Sequence, residues 1–285
     1  MGTYWLNDCV PTLQKNLGSK FKLYAGYSSR SRSSGGFDRI CGIVMHHDAD
    51  STSGSDDSVL KYEYETADDR PIGNFHVQRD GDIWIGAAGA SNHAGKGGPV
   101  STSRGTVPQD AGNKFLIGIE ASNNGVGETW NNTQMESYLQ LVTELCKFYQ
   151  LNPLTDIYAH WTWCQPSCPG RKIDPAGPTP KYPKFGGTSG SNKWNMDEVR
   201  KEVNARIKTT PNPGPPPNKG EDVNWNPTAA TVNDITAAPP VSETLNGEWN
   251  DWAVISFLKT IQKKGGLSVT GKYNQETGDY INSII

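Results

Sequence analysis

The sequence has no apolar run approaching the roughly 18–20 residues that span a bilayer, which argues against a membrane-spanning helix. It has no surplus of either charge: 27 basic and 30 acidic residues give a formal net charge of −3 over 285 residues. Such a balance provides no general electrostatic grip on nucleic acid or on an anionic membrane surface. Cysteine is scarce. Five residues (Cys9, Cys41, Cys146, Cys164 and Cys168) are too few for a disulfide scaffold at this length, and the odd count leaves at least one free thiol. The opening MGTYWLNDCVPTLQKN lacks the charged-then-apolar layout of a secretory signal. What is abundant is turn chemistry, with 31 glycines and 19 prolines.

The prolines mark a boundary. TTPNPGPPPNKG holds five prolines between Pro211 and Pro217 and should be extended and semi-rigid. Residues 1–207 are read as one domain, 208–243 as a Pro-rich linker running into an irregular polar segment, and 244–285 as a small module.

Within the first domain, CGIVMHH and KFLIGIEAS are short apolar runs expected as buried strands, and DIYAHW as a short strand ending at His160. NFHVQRDGDIWIG carries Asp80-Gly81 between two alternating runs, the pattern of a hairpin. Residues 133–150 place Met135, Tyr138, Leu139, Val142, Leu145, Cys146 and Tyr149 on one helical stripe, which assigns Cys146 to the core. MDEVRKEVNARI is expected as a closing helix. The fold class expected is α/β: a central mixed sheet flanked by helices, with a small, mostly helical C-terminal module.

That last module carries a weak internal repeat: Gly247-Glu248-Trp249-Asn250 is echoed 24 residues later by Gly271-Lys272-Tyr273-Asn274. A helix-like face at Val254, Ile255, Leu258 and Ile261 lies between them. Some forty residues are marginal for an independent core.

Only five histidines are present. His46-His47 follow a buried strand and His160 stands at the end of another. Two imidazoles at strand ends are a common beginning for a zinc site, although a lone histidine there is more often structural. The segment HWTWCQPSCPGRKIDPAG then offers a thiol, Cys168, and a carboxylate, Asp174, either able to complete three protein ligands and leave a position open to water.

GIVMHHDAD, RDGDIWIGAAGASNHAG, FLIGIEASNNG and AHWTW…PGRKIDPAG occur in an order and spacing that resembles the type 2 N-acetylmuramoyl-L-alanine amidases. That superfamily includes phage T-odd lysozymes and peptidoglycan-recognition proteins. The resemblance covers about residues 5–205 and is nearest to amidase domains of endolysins from phages of actinobacteria. It implies zinc held by His46 and His160, with an acidic or cysteine third ligand. It also implies Glu120 as the residue that activates water, Lys172 as the catalytic lysine two positions before the third ligand, and His93 as a substrate-cleft residue.

For the third ligand, Arg171-Lys172-Ile173-Asp174-Pro175 reads like the family's RKxDP, but Asp174 lies fourteen residues after His160 where relatives have ten. Reading Cys164 to Ser167 as a loop insertion restores the spacing. Cys168, eight after His160, has the spacing of the cysteine-ligand branch, yet carries Pro166 rather than a lysine two positions before it. Asp174 is favoured and Cys168 is the alternative; Cys164 and Cys168 would then be free to form a local disulfide. His47 and His76 are read as structural or exposed, without a role.

The implied reaction is zinc-dependent hydrolysis of the amide between N-acetylmuramic acid and L-alanine of bacterial peptidoglycan, by a phage endolysin acting in host lysis. The C-terminal repeat looks like the half-motif of small helical peptidoglycan-binding domains, which would tether the enzyme to its polymer. The expected partner is peptidoglycan, with neither nucleic acid nor a membrane anchor. The expected route is synthesis in the host cytoplasm and release through a holin-type pore. The alternatives are a non-catalytic peptidoglycan-binding protein on the same fold and a bacterial autolysin.

Overall fold

The computed structural model describes residues 2–209 apart from residue 53. The small C-terminal module and all but the first two residues of the expected linker lie outside the described residues. Among the described residues no helix is long and apolar enough to cross a membrane.

Among the described residues eight strands are present: β1 (Phe21–Leu23), β2 (Gly42–Met45), β3 (Phe75–Val77), β4 (Ile83–Ile85), β5 (Val100–Thr102), β6 (Gly105–Val107), β7 (Leu116–Ala121) and β8 (Ile157–Ala159). Seven helices accompany them: α1 (Val10–Leu17), α2 (Asp56–Lys61), α3 (Gly112–Phe115), α4 (Asn132–Tyr149), α5 (His160–Cys164), α6 (Pro183–Gly186) and α7 (Met196–Thr209). Six strands form one mixed sheet in the order β1-β4-β3-β7-β2-β8, and β5 and β6 form a separate hairpin. Within the large sheet only β3 and β4 run antiparallel, joined through the Asp80-Gly81 turn. The α/β class expected from the sequence is the architecture found.

Strand periodicity explains the layering. Ile43 and Met45 of β2, Ile117, Ile119 and Ala121 of β7, and Ile157 and Ala159 of β8 all enter one core with the apolar faces of α1, α4 and α7. The alternate residues Val44, Leu116 and Tyr158 enter a second core on the opposite face, around Trp163 of α5 and Val107 of β6. Because both faces are covered, β2 and β7 are buried along their whole length, which is why their sequences read as unbroken apolar runs.

α4 is the spine of the larger core. Asn131 caps it by accepting from the Gln134 N–H, and Gln150 ends it in a left-handed conformation with φ 52°. Its Tyr138 hydroxyl accepts from the His46 N–H at 2.8 Å and lies 2.9 Å from the Ile119 carbonyl. The helix thereby pins the point where the chain leaves β2.

Glu136 on α4 ties this layer to α7 and the loop before α6: its carboxylate meets Arg206 at 3.0 Å and Lys181 at 2.5 Å, and also accepts from the Tyr182 hydroxyl. Burial would raise its pKa, but these donors outweigh it and bring it from 4.5 down to about 2. A depressed carboxylate contributes stability above its unfolded pKa and loses it as pH falls through the folded one. The melting temperature of the parent should therefore exceed that of Glu136→Gln most at neutral pH, with the gap closing between about pH 4.5 and about pH 2. A gap that stays constant across thermal melts in that window would show that the charge is not what Glu136 contributes.

Two local expectations need correction. His160 does not end a strand; it is the first residue of α5, because the Thr162 side chain accepts from the Ala159 N–H and turns the chain into a helix. The proposed bulge at 164–167 is also only partly a surface loop. Gln165 to Ser167 are exposed, but Cys164 closes α5 inside the second core.

Candidate functional site

Strands β7, β2 and β8 are adjacent and parallel, with Met45 paired to both Ile119 and Ala159. Their C-terminal ends therefore lie side by side, and the next residue of each chain segment is delivered to the same place: His46 after β2, His160 after β8, with Glu120 near the end of β7. This is the end of a parallel sheet at which α/β proteins collect ligands. A cleft of about 720 Å³ opens there, lined among others by His46, His93, Glu120, His160, Lys172 and Asp174.

Three side chains converge at its floor. His46 Nδ1 lies 2.9 Å from His160 Nδ1, and Asp174 Oδ2 is 3.0 Å from each. All three residues are buried. Their partners on the far side bear on which nitrogens carry protons. His160 Nε2 faces the Ala94 carbonyl at 3.0 Å, with the Arg171 guanidinium farther off at 3.3 Å; the shorter contact is to an acceptor, which favours a hydrogen on Nε2 and a lone pair on Nδ1. His93 Nε2 likewise donates to the Leu116 carbonyl at 2.9 Å, which leaves His93 Nδ1 to accept from His46 Nε2 at 3.0 Å. His46 Nδ1 is then bare too. Burial, followed by the proximity of the His160 ring, lowers the His46 pKa to about 4, so the ring is neutral at physiological pH.

Two imidazole lone pairs and a carboxylate at 3 Å repel one another unless a cation sits among them. Either a proton or a metal ion would relieve that repulsion. Donors about 2 Å from a tetrahedral zinc stand roughly 3.3 Å apart, close to the spacing found, so these residues fit that ion.

Cys168 is not part of this cluster. Its sulfur lies 3.3 Å from the Lys96 carbonyl, near Cys164, whose sulfur lies 3.4 Å from the same oxygen. The local disulfide that the sequence left open is not formed: both residues are free thiols, held side by side over that carbonyl together with Arg171.

Glu120 is buried, with Oε1 3.7 Å from His46 Nδ1. Burial, then the charges of Glu63, Asp174 and Asp48, push its pKa well above the usual carboxylate value, with Lys172 opposing them. Lys172 is half-buried in the cleft wall. Neither His47 nor His76 is exposed. His47 Nδ1 accepts from the Ala176 N–H at 3.1 Å and so anchors the segment that carries Asp174.

His76 lies in a second polar cluster that composition did not reveal. Its Nδ1 meets Glu63 at 3.0 Å, while Nε2 meets Ser122 at 2.9 Å and faces Asp48 at 3.9 Å. Asp48, Glu63 and His76 thus bring one ligand atom each to within 4.8 Å of one another, although of the two carboxylates only Glu63 is within hydrogen-bond distance of the ring. Glu63 and Asp48 both reach the cleft wall. Nothing in the local sequence around Glu63 signals this, since it comes from a polar turn after α2.

Residues 36–177 match the family model described as N-acetylmuramoyl-L-alanine amidase. No curated protein matches the sequence. Among solved structures, the chain is similar to N-acetylmuramoyl-L-alanine amidase LysC from Clostridium intestinale, with 19% identity over 65% of this chain and 97% of that one, at a TM-score of 0.42. It is also similar to N-acetylmuramyl-L-alanine amidase AmiD from E. coli, with 18% identity over 91% and 94% of the two chains, at a TM-score of 0.39. A third is AmpDh3 from Pseudomonas aeruginosa, with 17% identity over 91% and 96%, at a TM-score of 0.40.

Proposed function

We propose that the chain is a zinc-dependent amidase that cleaves the bond between N-acetylmuramic acid and L-alanine in bacterial peptidoglycan. One observation carries the zinc reading: three side chains able to offer lone pairs, from His46, His160 and Asp174, meet at about 3 Å in a buried cleft floor. The family of residues 36–177 carries the substrate class.

Bound zinc supplies Lewis acidity toward the attacking water and the scissile carbonyl. The rest of the chemistry belongs to the chain. Glu120, whose raised pKa suits it to both taking and returning a proton, accepts one from the attacking water and delivers it to the leaving nitrogen. Lys172 places a positive charge in the cleft wall, where it offsets the negative charge developing on the carbonyl oxygen. Because the cleft floor is buried, these charges act at low effective dielectric.

The endolysin role rests on the resemblance of the four motifs to endolysin amidase domains. In that role the protein acts on the wall after release through a holin-type pore, and residues 244–285 hold it on the polymer.

Digestion of purified peptidoglycan, followed by mass spectrometry of the new termini, tests the reading. New L-alanine amino termini should accumulate, stop on chelation and return with added zinc. New reducing sugar ends, or wall binding without any new terminus, would overturn it in favour of a glycosidase or a non-catalytic wall-binding protein respectively.

A further inference from the structure

The histidine rings are aimed from behind by a single short turn. His46 Nε2 donates to His93 Nδ1 at 3.0 Å, and His160 Nε2 donates to the Ala94 carbonyl at 3.0 Å. Two consecutive residues therefore hold the outer nitrogens of both rings, and the Arg171 guanidinium, 3.3 Å from both His160 Nε2 and the Ala94 carbonyl, closes over the second of these contacts. The turn is itself clamped: the Asn113 side-chain oxygen accepts from the His93 N–H at 3.0 Å and from the Ala94 N–H at 2.7 Å. Behind it, His93 Nε2 is fixed on the Leu116 carbonyl at the start of β7. The His93 ring lies over Gly118, where a Cβ would come within 2.3 Å of its Cγ, so the strand keeps a vacancy shaped to this imidazole.

We infer that the His93–Ala94 turn, clamped by Asn113, is the outer brace that fixes the tautomer and aim of both metal-directed histidines, and that His93 acts through His46 rather than on substrate. The reason is proton arithmetic. Leu116 can only accept, so a neutral His93 must present a lone pair to His46, and His46 must then present its own lone pair forward. Replacing His93 with a residue lacking an acceptor leaves the buried His46 Nε2–H unpaired and allows the ring to adopt the other tautomer or rotate. Both ring nitrogens of His93 are spent on this chain, which leaves none to hold substrate. His93 is thus a positioning residue. Asn113 performs the same task for both rings at once.

This inference rests on the metal reading of the site, so the test measures metal binding directly. Zinc affinity is determined by competition with a chromophoric chelator for the full chain and for His93→Leu, His93→Asn and Asn113→Ala, and each protein is also loaded with cobalt(II) to record its absorption spectrum. His93→Leu should bind zinc about 10–100-fold more weakly, the range typical of lost outer-shell partners, with a changed cobalt spectrum. His93→Asn, whose side-chain oxygen restores an acceptor for His46, should recover much of the affinity. Asn113→Ala should weaken binding in the same direction, and it serves as the readout if His93→Leu does not fold. Unchanged zinc affinity in His93→Leu with a raised KM would overturn the inference and return His93 to the substrate. Weakened affinity without recovery in His93→Asn would overturn the tautomer argument. Failure of the parent chain to bind zinc at all would instead defeat the metal reading itself.

Discussion

Glu120→Gln should lower turnover by roughly 10²–10⁴-fold, the usual contribution of a positioned general base, while zinc content and wall binding stay at the parent's level. Glutamine matches glutamate in size, so the packing at the end of β7 is preserved and only proton exchange is lost. The environment gives a second, independent readout. Burial and the neighbouring carboxylates Glu63, Asp174 and Asp48 raise the Glu120 pKa well above its ordinary value. A general base works only when deprotonated, so activity of the parent should fall as pH drops through that raised pKa, at a higher pH than an exposed glutamate would give. The acid limb should vanish from the residual activity of Glu120→Gln. Near-parental turnover with the acid limb intact would assign proton transfer elsewhere in the cleft, with Glu63 the next carboxylate in reach.

Much of this architecture was legible before any coordinates. Strands β2 and β7 are covered on both faces, so their burial wrote itself into the sequence as continuous apolar runs; α4 announced itself by a stripe at helical spacing, and the β3–β4 hairpin by Asp80-Gly81. The weak elements escaped for physical reasons. β1 is a three-residue edge strand whose pairing with β4 is decided by tertiary contact. α1 is only eight residues long, too short to declare itself by propensity. α2 runs into a wider π-type turn through a polar stretch with few apolar positions to set a period.

The site divides along the same line. His46 and His160 could be found because strand ends of a parallel sheet gather at one edge, and that geometry is encoded by the strands themselves. Asp48, Glu63 and Asn113 come from turns whose placement depends on what they pack against, and no periodicity points to them. His93 was legible as a residue of the cleft, but its orientation toward His46 required the vacancy over Gly118, which only the folded sheet supplies.

The identity of the third ligand separates two chemistries, and the variants Asp174→Ala and Cys168→Ser should respond in opposite ways. Asp174 is buried with Oδ2 3.0 Å from both Nδ1 atoms, so its removal deletes the one negative charge at the point where the two lone pairs meet. Zinc affinity should fall by more than the roughly 10–100-fold cost of losing an outer-shell partner, and hydrolysis should disappear with it. Cys168→Ser should keep zinc and activity near the parent's, since its sulfur rests on the Lys96 carbonyl and not among the histidines. Alkylation adds a check that needs no substitution. Burial works against ionisation of the Cys168 thiol, but contacts with Arg171, Cys164 and Ser167 outweigh it and lower the pKa, which makes this partly exposed thiol reactive. Its rate of alkylation should be the same with zinc bound and after chelation. A thiol protected by zinc and released by chelation, together with zinc lost in Cys168→Ser and kept in Asp174→Ala, would move the third ligand to Cys168. That outcome would also require the segment after α5 to rearrange, because Cys168 now packs beside Cys164 against the second core, over the Lys96 carbonyl.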